Sequence, residues 1–261
     1  MVYFYICAGV AVGVGLIVLF VWFNNSCLKI TRYNLKIDGA DRTRIVHLSD
    51  LHGKNFGRGN RKLIGKIARL KPDFIAFTGD IVHRYTPKNS ETAEKTVAAL
   101  TQIAPVYFVA GNHEMRNKGY RFLRRQLMEA GARVLDDEAA QQGGLTVVGL
   151  NGASLRNEKI FAVTPQKSPK ILLAHEPQFF GKYSSAGYDL ILCGHAHGGQ
   201  WRIPFTGIGL FAPGQGKFPK YTSGTHVSGK SVMIVSRGLG NSEFPLRLFN
   251  RPEIVVADIN A

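Results

Sequence analysis

The sequence predicts an α/β fold, a two-sheet β-sandwich flanked by helices, behind one N-terminal helix long enough to cross a membrane. Three observations carry this expectation. In the first half of the chain, short apolar runs alternate with segments whose apolar residues recur at helical spacing. In the second half, short strand-like runs follow one another. Residues 2–23 contain no charged side chain at all.

That apolar run is taken first. At 1.5 Å rise per residue it spans the ~30 Å hydrocarbon core of a bilayer. Tyr3, Tyr5, Trp22 and Phe23 sit near its two ends, where interfacial aromatics gather. A cleaved signal peptide is the competing reading, but no Lys or Arg precedes the run and bulky residues continue to its end. The expected organisation is a transmembrane anchor over 1–26 and one domain over 27–261. Lys29, Arg32 and Lys36 follow the helix and none precedes it, so the positive-inside rule places a single-pass protein in the inner or plasma membrane with its domain cytoplasmic.

Residues 28–38 read as a strand entering the domain. Residues 44–48 form a strand ending in Ser49-Asp50, and 60–70 carry Leu63, Ile64, Ile67 and Leu70 at helical spacing. Residues 73–77 form a strand ending in Thr78-Gly79-Asp80, 91–103 a helix, 106–109 a strand ending in Gly111-Asn112-His113-Glu114, and 119–130 a helix. Strands are then expected at 132–135, 145–150, 171–174, 190–193, 231–235 and 253–258. Helices between the early strands imply parallel pairing, and helix-free later connections allow antiparallel pairing. Between 151 and 170, Arg156, Asn157, Glu158 and Lys159 suggest a short solvated loop without a clear helix.

Composition sets bounds. With 261 residues, 45% apolar and 20% charged, the chain is ordinary for a globular protein, which excludes long disorder and any need for disulfide staples. Cys7, Cys27 and Cys193 form no disulfide framework, which fits a reducing compartment. The net charge of +15 lies wholly after residue 23. Such a surface attracts phosphate-bearing partners: nucleic acid, anionic lipid or nucleotide. Beside a membrane segment the lipid bilayer is the simplest of these. No nucleic-acid module is recognisable, so nucleic acid is not expected as a partner. A charge that serves solubility alone is the other reading.

The chemistry collects where strands end. Asp50 and His52, Asp80, Asn112 and His113, His175, and His195 and His197 each follow a predicted strand, and sites in α/β sheets form at those ends. Five of the eight histidines occupy such positions; His47, His83 and His226 do not. Asp50-Leu51-His52, Gly79-Asp80 and Ala174-His175-Glu176 each arise often by chance. Gly194-His195-Ala196-His197-Gly198 is more specific, because two histidines among glycines make poor core and poor helix. Together, and in this order, they point to metal ligation. Mixed nitrogen and oxygen donors suit Mn, Fe or Zn better than Mg or Ca.

This ordered set resembles the calcineurin-like metallophosphoesterases, over roughly residues 44–252. The Gly198-Gly199-Gln200 extension and Ser236-Arg237-Gly238-Leu239-Gly240 are similar to the bacterial membrane-linked branch typified by YkuE and YaeI. The resemblance implies two divalent metal ions, Mn foremost: Asp50, His52 and His197 on the first, Asn112, His175 and His195 on the second, and Asp80 bridging. It implies that His113 stands outside the metal shell near the leaving oxygen; from there it can donate a proton as the catalytic group, with Glu114 or another nearby acid orienting it unless Glu114 is merely exposed. Arg237 is expected either to bind a substrate phosphate bidentately or to sit in a structural ion pair. The implied activity is hydrolysis of a phosphodiester or pyrophosphate bond, in a lipid-linked substrate such as UDP-2,3-diacylglucosamine of lipid A biosynthesis. A generic phosphodiesterase or phosphatase with a non-lipid substrate is the alternative, and a non-catalytic anionic-lipid-binding protein a remoter one. Residues 201–211 would either receive an acyl chain or form a β-hairpin packing its own core.

Overall fold

Two six-stranded sheets form the body of the computed structural model, which describes residues 1–151, 169–241 and 244–261. The loop expected between 151 and 170 falls almost wholly outside the described residues. The first sheet runs in the order β1 (Lys29–Leu35), β14 (Glu253–Ile259), β2 (Thr43–Leu48), β3 (Phe74–Thr78), β4 (Val106–Val109), β5 (Arg133–Val134). Strands β2 to β5 are parallel, and β14 enters antiparallel to β2 and parallel to β1. The second runs β12 (Gly224–Ser228), β13 (Ser231–Val235), β9 (Leu190–Cys193), β8 (Lys170–Leu173), β7 (Leu145–Gly149), β6 (Glu138–Gln142). A short pair, β10 (Phe211–Ala212) and β11 (Gly216–Lys217), lies outside them.

Period-two alternation divides the strand side chains between two faces. Ile45, Phe74, Ala76 and Val109 point between the sheets and meet Val147, Ile171, Leu192 and Ile234 from the other side. Val46, Leu48, Ile75 and Phe77 point outward, under α2 (Arg61–Leu70), α3 (Pro87–Thr101) and α5 (Tyr120–Glu129). Burial on both faces is why these strands read as unbroken apolar runs. Each fully buried Leu, Ile or Phe contributes about 1.5–3 kcal/mol, so the strand ends are held on a stiff base. Helix α3 starts four residues before its expected position, because Thr86 caps it, accepting from the Asn89 N–H at 3.2 Å, with Pro87 in its first turn.

The second sheet departs from expectation. Its four central strands, β7, β8, β9 and β13, are parallel, and only β6 and β12 pair antiparallel. The β8–β9 connection is not helix-free: it carries α6 (Phe180–Ser185), whose Phe180 and Tyr183 cover the sheet. Strands β6 and β12 escaped notice because edge positions leave them polar, Glu-Ala-Ala-Gln-Gln and Gly-Thr-His-Val-Ser.

The N-terminal helix α1 (Val2–Ser26) is long and apolar enough to cross a membrane by length and composition. Its last turn docks on the domain. The Asn250 N–H donates to Asn24 Oδ1 (3.2 Å) and the Arg247 N–H to Asn25 Oδ1 (2.9 Å), while Asn25 Nδ2 donates back to the Arg247 carbonyl (3.1 Å).

Candidate metal centre

Because β2, β3 and β4 run parallel in one sheet, and β8 and β9 in the other, the loops after all five leave from one rim of the sandwich. The rims then interlock. Asp50 N–H donates to the Gly79 carbonyl and His52 N–H to the Asp80 carbonyl, both at 2.9 Å, which extends the β2–β3 pairing past the strands. Across the sandwich, the His195 N–H donates to both oxygens of Asp50 at 3.1 and 3.0 Å. Glycine permits this approach. A Cβ on Gly111 would lie 2.1 Å from Asp80 Oδ1, and one on Gly194 would lie 1.8 Å from Ser49 Oγ. Asp50, His52, Asp80, His195 and His197 all adopt positive φ, between 47° and 66°. Non-glycine residues hold that conformation only where the surroundings impose it, and such residues concentrate at functional sites.

Two ligand groups result. Asp50, His52 and His197 form one and Asp80, His175 and His195 the other, with the ligand atoms of each within 4.8 Å of one another. Asn112 Oδ1 lies 3.1 Å from His175 Nε2, beside the second group. Asp80 Oδ2 is 3.6 Å from His52 Nε2 and 3.2 Å from His175 Nε2, so one carboxylate oxygen faces both groups. The Nε2 atoms of His52 and His197 face each other at 3.2 Å. His175 Nδ1–H donates to the Thr78 carbonyl at 2.7 Å, which leaves its Nε2 turned inward.

Charge states fit ligation. Burial pushes His52 and His195 down to about 3 and His197 well below its ordinary value, which keeps all three as neutral imidazoles, the form that binds metal. Burial pushes Asp80 up, but the adjoining His175 outweighs it and holds the carboxyl well below the usual range. His175 is the reciprocal case: burial lowers it, Asp80 overcomes that, and it stands at about 10. The cluster thus holds positive charge beside Asp80 where a cation would sit. Inward-facing imidazole nitrogens, two carboxylates and an amide oxygen form a donor set suited to a pair of divalent ions.

His113 donates Nδ1–H to the His83 carbonyl at 2.8 Å, and its Nε2 faces Asp80 Oδ2 at 3.9 Å. It lines the pocket over the cluster, about 370 Å³, with Asn112, Arg116, Phe211 and Phe244. Glu114 neither orients His113 nor is exposed. Fully buried, it accepts N–H bonds from Asp80 (2.6 Å), Gly111 (2.9 Å) and Val82 (3.2 Å), and burial followed by Asp80 raises it to about 8. Arg237 does not line this pocket. It lines a different cavity beside the end of α1, and its Nε lies 3.7 Å from Glu253. The ion-pair reading of Arg237 is therefore the one this geometry favours.

Sequence reasoning missed three residues. His83 joins His52 and His113 in a third group of ligand-type atoms, its ring 4.8 Å from that of His113; its position three residues after Asp80 was the available signal. Arg116 reaches the pocket one helical turn after Asn112, on α4 (Asn112–Met115) and its cap. Arg247 is fully buried behind His197, with Nη2 3.4 Å from His197 Nδ1 and Nε donating to Gly240 O at 3.1 Å.

A sandwich that gathers five strand ends around two Asp/His groups belongs to a known class. The calcineurin-like phosphoesterase family profile matches residues 43–199, and the chain is a member of that family, metal-dependent hydrolases of phosphoric esters. The chain is 30% identical over 232 residues to the phosphodiesterase YaeI of Escherichia coli, spanning 85% of this chain and 84% of that one. It is 29% identical over 231 residues to the uncharacterized metallophosphoesterase YkuE of Bacillus subtilis, spanning 84% and 79%. YkoQ of the same organism, another uncharacterized metallophosphoesterase, is 27% identical over 233 residues, spanning 84% of each chain.

Proposed function

We propose that the protein is a membrane-anchored hydrolase that cleaves a phosphodiester or pyrophosphate bond in a lipid-linked substrate. The observation that carries this reading is the apolar surface beside the metal centre. Phe211 and Phe244 line its pocket at 52% and 57% exposure, and Ile208, three residues before Phe211, is exposed as well. Residues 201–211 therefore do not pack a core of their own, and so much exposed apolar surface marks a contact with lipid or another partner. The anchor α1 keeps that surface close to the bilayer.

Asp50, His52 and His197 would hold one divalent ion, Asn112, His175 and His195 the other, and Asp80 both; Mn suits these mixed donors, with Fe or Zn as alternatives. Bound there, the ions supply an acidified water and neutralise phosphoryl charge. The chain's own residues do the rest. Asp80 fixes the spacing of the two groups. Arg116 offers a cation to a substrate phosphate at the pocket wall. His113, its Nδ1–H held by the His83 carbonyl, presents Nε2 to the pocket, from which it can deliver a proton to the departing oxygen.

UDP-2,3-diacylglucosamine is the sharpest substrate candidate, with UMP release as its signature. The test compares UMP release from this lipid nucleotide with hydrolysis of bis-nitrophenyl phosphate, on Mn-loaded full-length protein. Preference for the lipid nucleotide is expected. Turnover of the soluble diester alone would remove the lipid part of the proposal.

A further inference from the structure

We propose a second phosphate-binding site, separate from the metal centre, that takes the headgroup of an anionic membrane phospholipid where α1 meets the domain. It rests on the reading of α1 as a membrane anchor.

The site is a cavity of about 530 Å³ whose wall contains Lys29, Arg202, Arg237 and Arg251 and, among the described residues, no carboxylate. The acid beside Arg237, Glu253, is already engaged. It is buried, and it accepts from Thr31 Oγ1 at 2.5 Å and from the Arg237 N–H at 3.0 Å, with Arg237 Nε at 3.7 Å. Among the described residues, four cations thus share one carboxylate. Their mutual repulsion is legible: burial and then Arg237 lower both Arg202, to about 10, and Lys29. Backbone carbonyls hold two of the guanidinium groups in place. Arg202 donates to Gly198 O at 2.7 Å, and Arg251 to Cys27 O and Leu28 O at 3.0 Å. A cluster fixed against its own repulsion is preorganised for an anion, and a phosphodiester matches the fork of arginine.

The apolar half of the wall says which anion source fits. Phe20 and Phe23 of α1 form part of it, and Arg251 lies 4.5 Å from the Phe23 ring centroid. Phe249, half exposed, meets the Phe20 ring edge-on at 5.0 Å, and Phe205, fully exposed, completes the apolar lining. A free phosphate has no use for these rings; a lipid with its headgroup on the cations has its acyl chains along α1. On another side of the same helix end, a cavity of about 510 Å³ shares Arg251 and adds Lys62, Lys66 and Lys54, the last lowered by burial to about 7, again with no carboxylate among the described residues. Cations therefore collar the end of the apolar helix, at the depth where anionic headgroups would lie.

The test is native mass spectrometry of the full chain in detergent, offered phosphatidylglycerol or phosphatidylcholine. Wild type should retain phosphatidylglycerol at least about tenfold better. Lys29→Gln, which leaves the Arg237–Glu253 pair intact, should lower that preference about fivefold, and adding Arg237→Gln should lower it further. Lys36→Gln with Lys230→Gln removes as much charge from a cavity at the far end of β1, about 23 Å from Lys29, and should leave the preference intact. Melting curves identify any variant that fails to fold, and the folded Lys29→Gln protein then decides. Equal retention of the two lipids, an unchanged preference in folded Lys29→Gln, equal loss in both double variants, or displacement by inorganic phosphate at the lipid's own concentration would each overturn the proposal. Selective retention without turnover of a lipid-linked diester would instead sink the substrate reading and leave this site standing.

Discussion

Gly194→Ala tests the packing that brings the two sheet rims together. A Cβ there would fall 1.8 Å from Ser49 Oγ, 2.7 Å from Ser49 Cβ and 2.4 Å from Asp50 Oδ2, where ordinary contact begins near 3.4 Å. Rotating Ser49 relieves the first clash but not the second, so backbone on one rim must retreat by the better part of an ångström. Gly194 does not adopt positive φ, so the clash acts without added backbone strain. Overpacking of this kind costs about 1–3 kcal/mol, or about 2–10 °C in melting temperature for a domain of this size. The retreat also moves Asp50 relative to His52 and His197, and Mn affinity at that group should fall about 10–100-fold. Gly181→Ala is the control. It sits in α6 with nothing within 4 Å, and should be neutral or stabilising by up to about 1 kcal/mol. Melting of metal-free protein and Mn titration calorimetry read both effects. If Gly194→Ala melts with wild type and binds two Mn ions at unchanged affinity, the close approach at Ser49 is wrong, and the first ligand group with it.

The remaining predictions concern catalysis, stability and pH. His113→Ala should lower turnover about 10²–10⁴-fold while elemental analysis still finds the wild-type metal content; equal loss of both would make His113 a ligand instead. Asn250→Ala removes the donors to the His197 carbonyl (2.7 Å) and the Gln200 carbonyl (3.0 Å) and should cost about 1–3 kcal/mol in a denaturant melt, a loss that Asn250→Asp would share. In metal-free protein, His52 and His195 stand at about 3 against an ordinary 6.5. The folded state binds fewer protons between those values, so their contribution is complete above about pH 6.5 and is lost as pH falls towards 3. His175, at about 10, has the opposite sign: its contribution is complete below 6.5 and is lost as pH rises through 10. Melting in chelator should therefore peak at about pH 6.5, and a melting temperature that climbs steadily from pH 5 to 10 would contradict these charge states.

The centre of the fold was legible because its strands are buried on both faces and announce themselves as apolar runs; β4, β9 and β13 fall where the pattern puts them. Legibility failed where burial is one-sided. Edge strands β6 and β12 carry polar residues that resemble loop, and the parallel sense of β8 and β9 goes with α6, a six-residue helix too short for periodicity to reveal. At the site, residues at strand ends could be found by position along the chain. Glu114 could not, because a buried acid that binds only backbone N–H groups looks in sequence like any acid after a turn. Arg237 illustrates the same limit from the other side. A guanidinium beside two glycines suits a phosphate, but nothing in the sequence states which cavity it lines, and that depends on β14 bringing Glu253 next to it.

The segment 247–250 connects the N-terminal helix to the candidate metal centre. On one side it is held by the last turn of α1, through Asn24 and Asn25. On the other it holds a candidate metal-ligand residue: Asn250 Nδ2 grips the His197 carbonyl at 2.7 Å, and Arg247 stands behind the His197 ring. Phe20 adds an edge-on ring contact to Phe249 at 5.0 Å. His197 has φ of 47°, a conformation that its own backbone does not favour, and so depends on neighbours that over-determine it. Those neighbours are a stretch of chain that bonds to the helix through Asn24 and Asn25 and to the domain through Gly240 and Gln200. The docked end of the helix is one support of the segment that holds His197 beside Asp50 and His52, with Arg247 and Asn250 standing between the helix and His197.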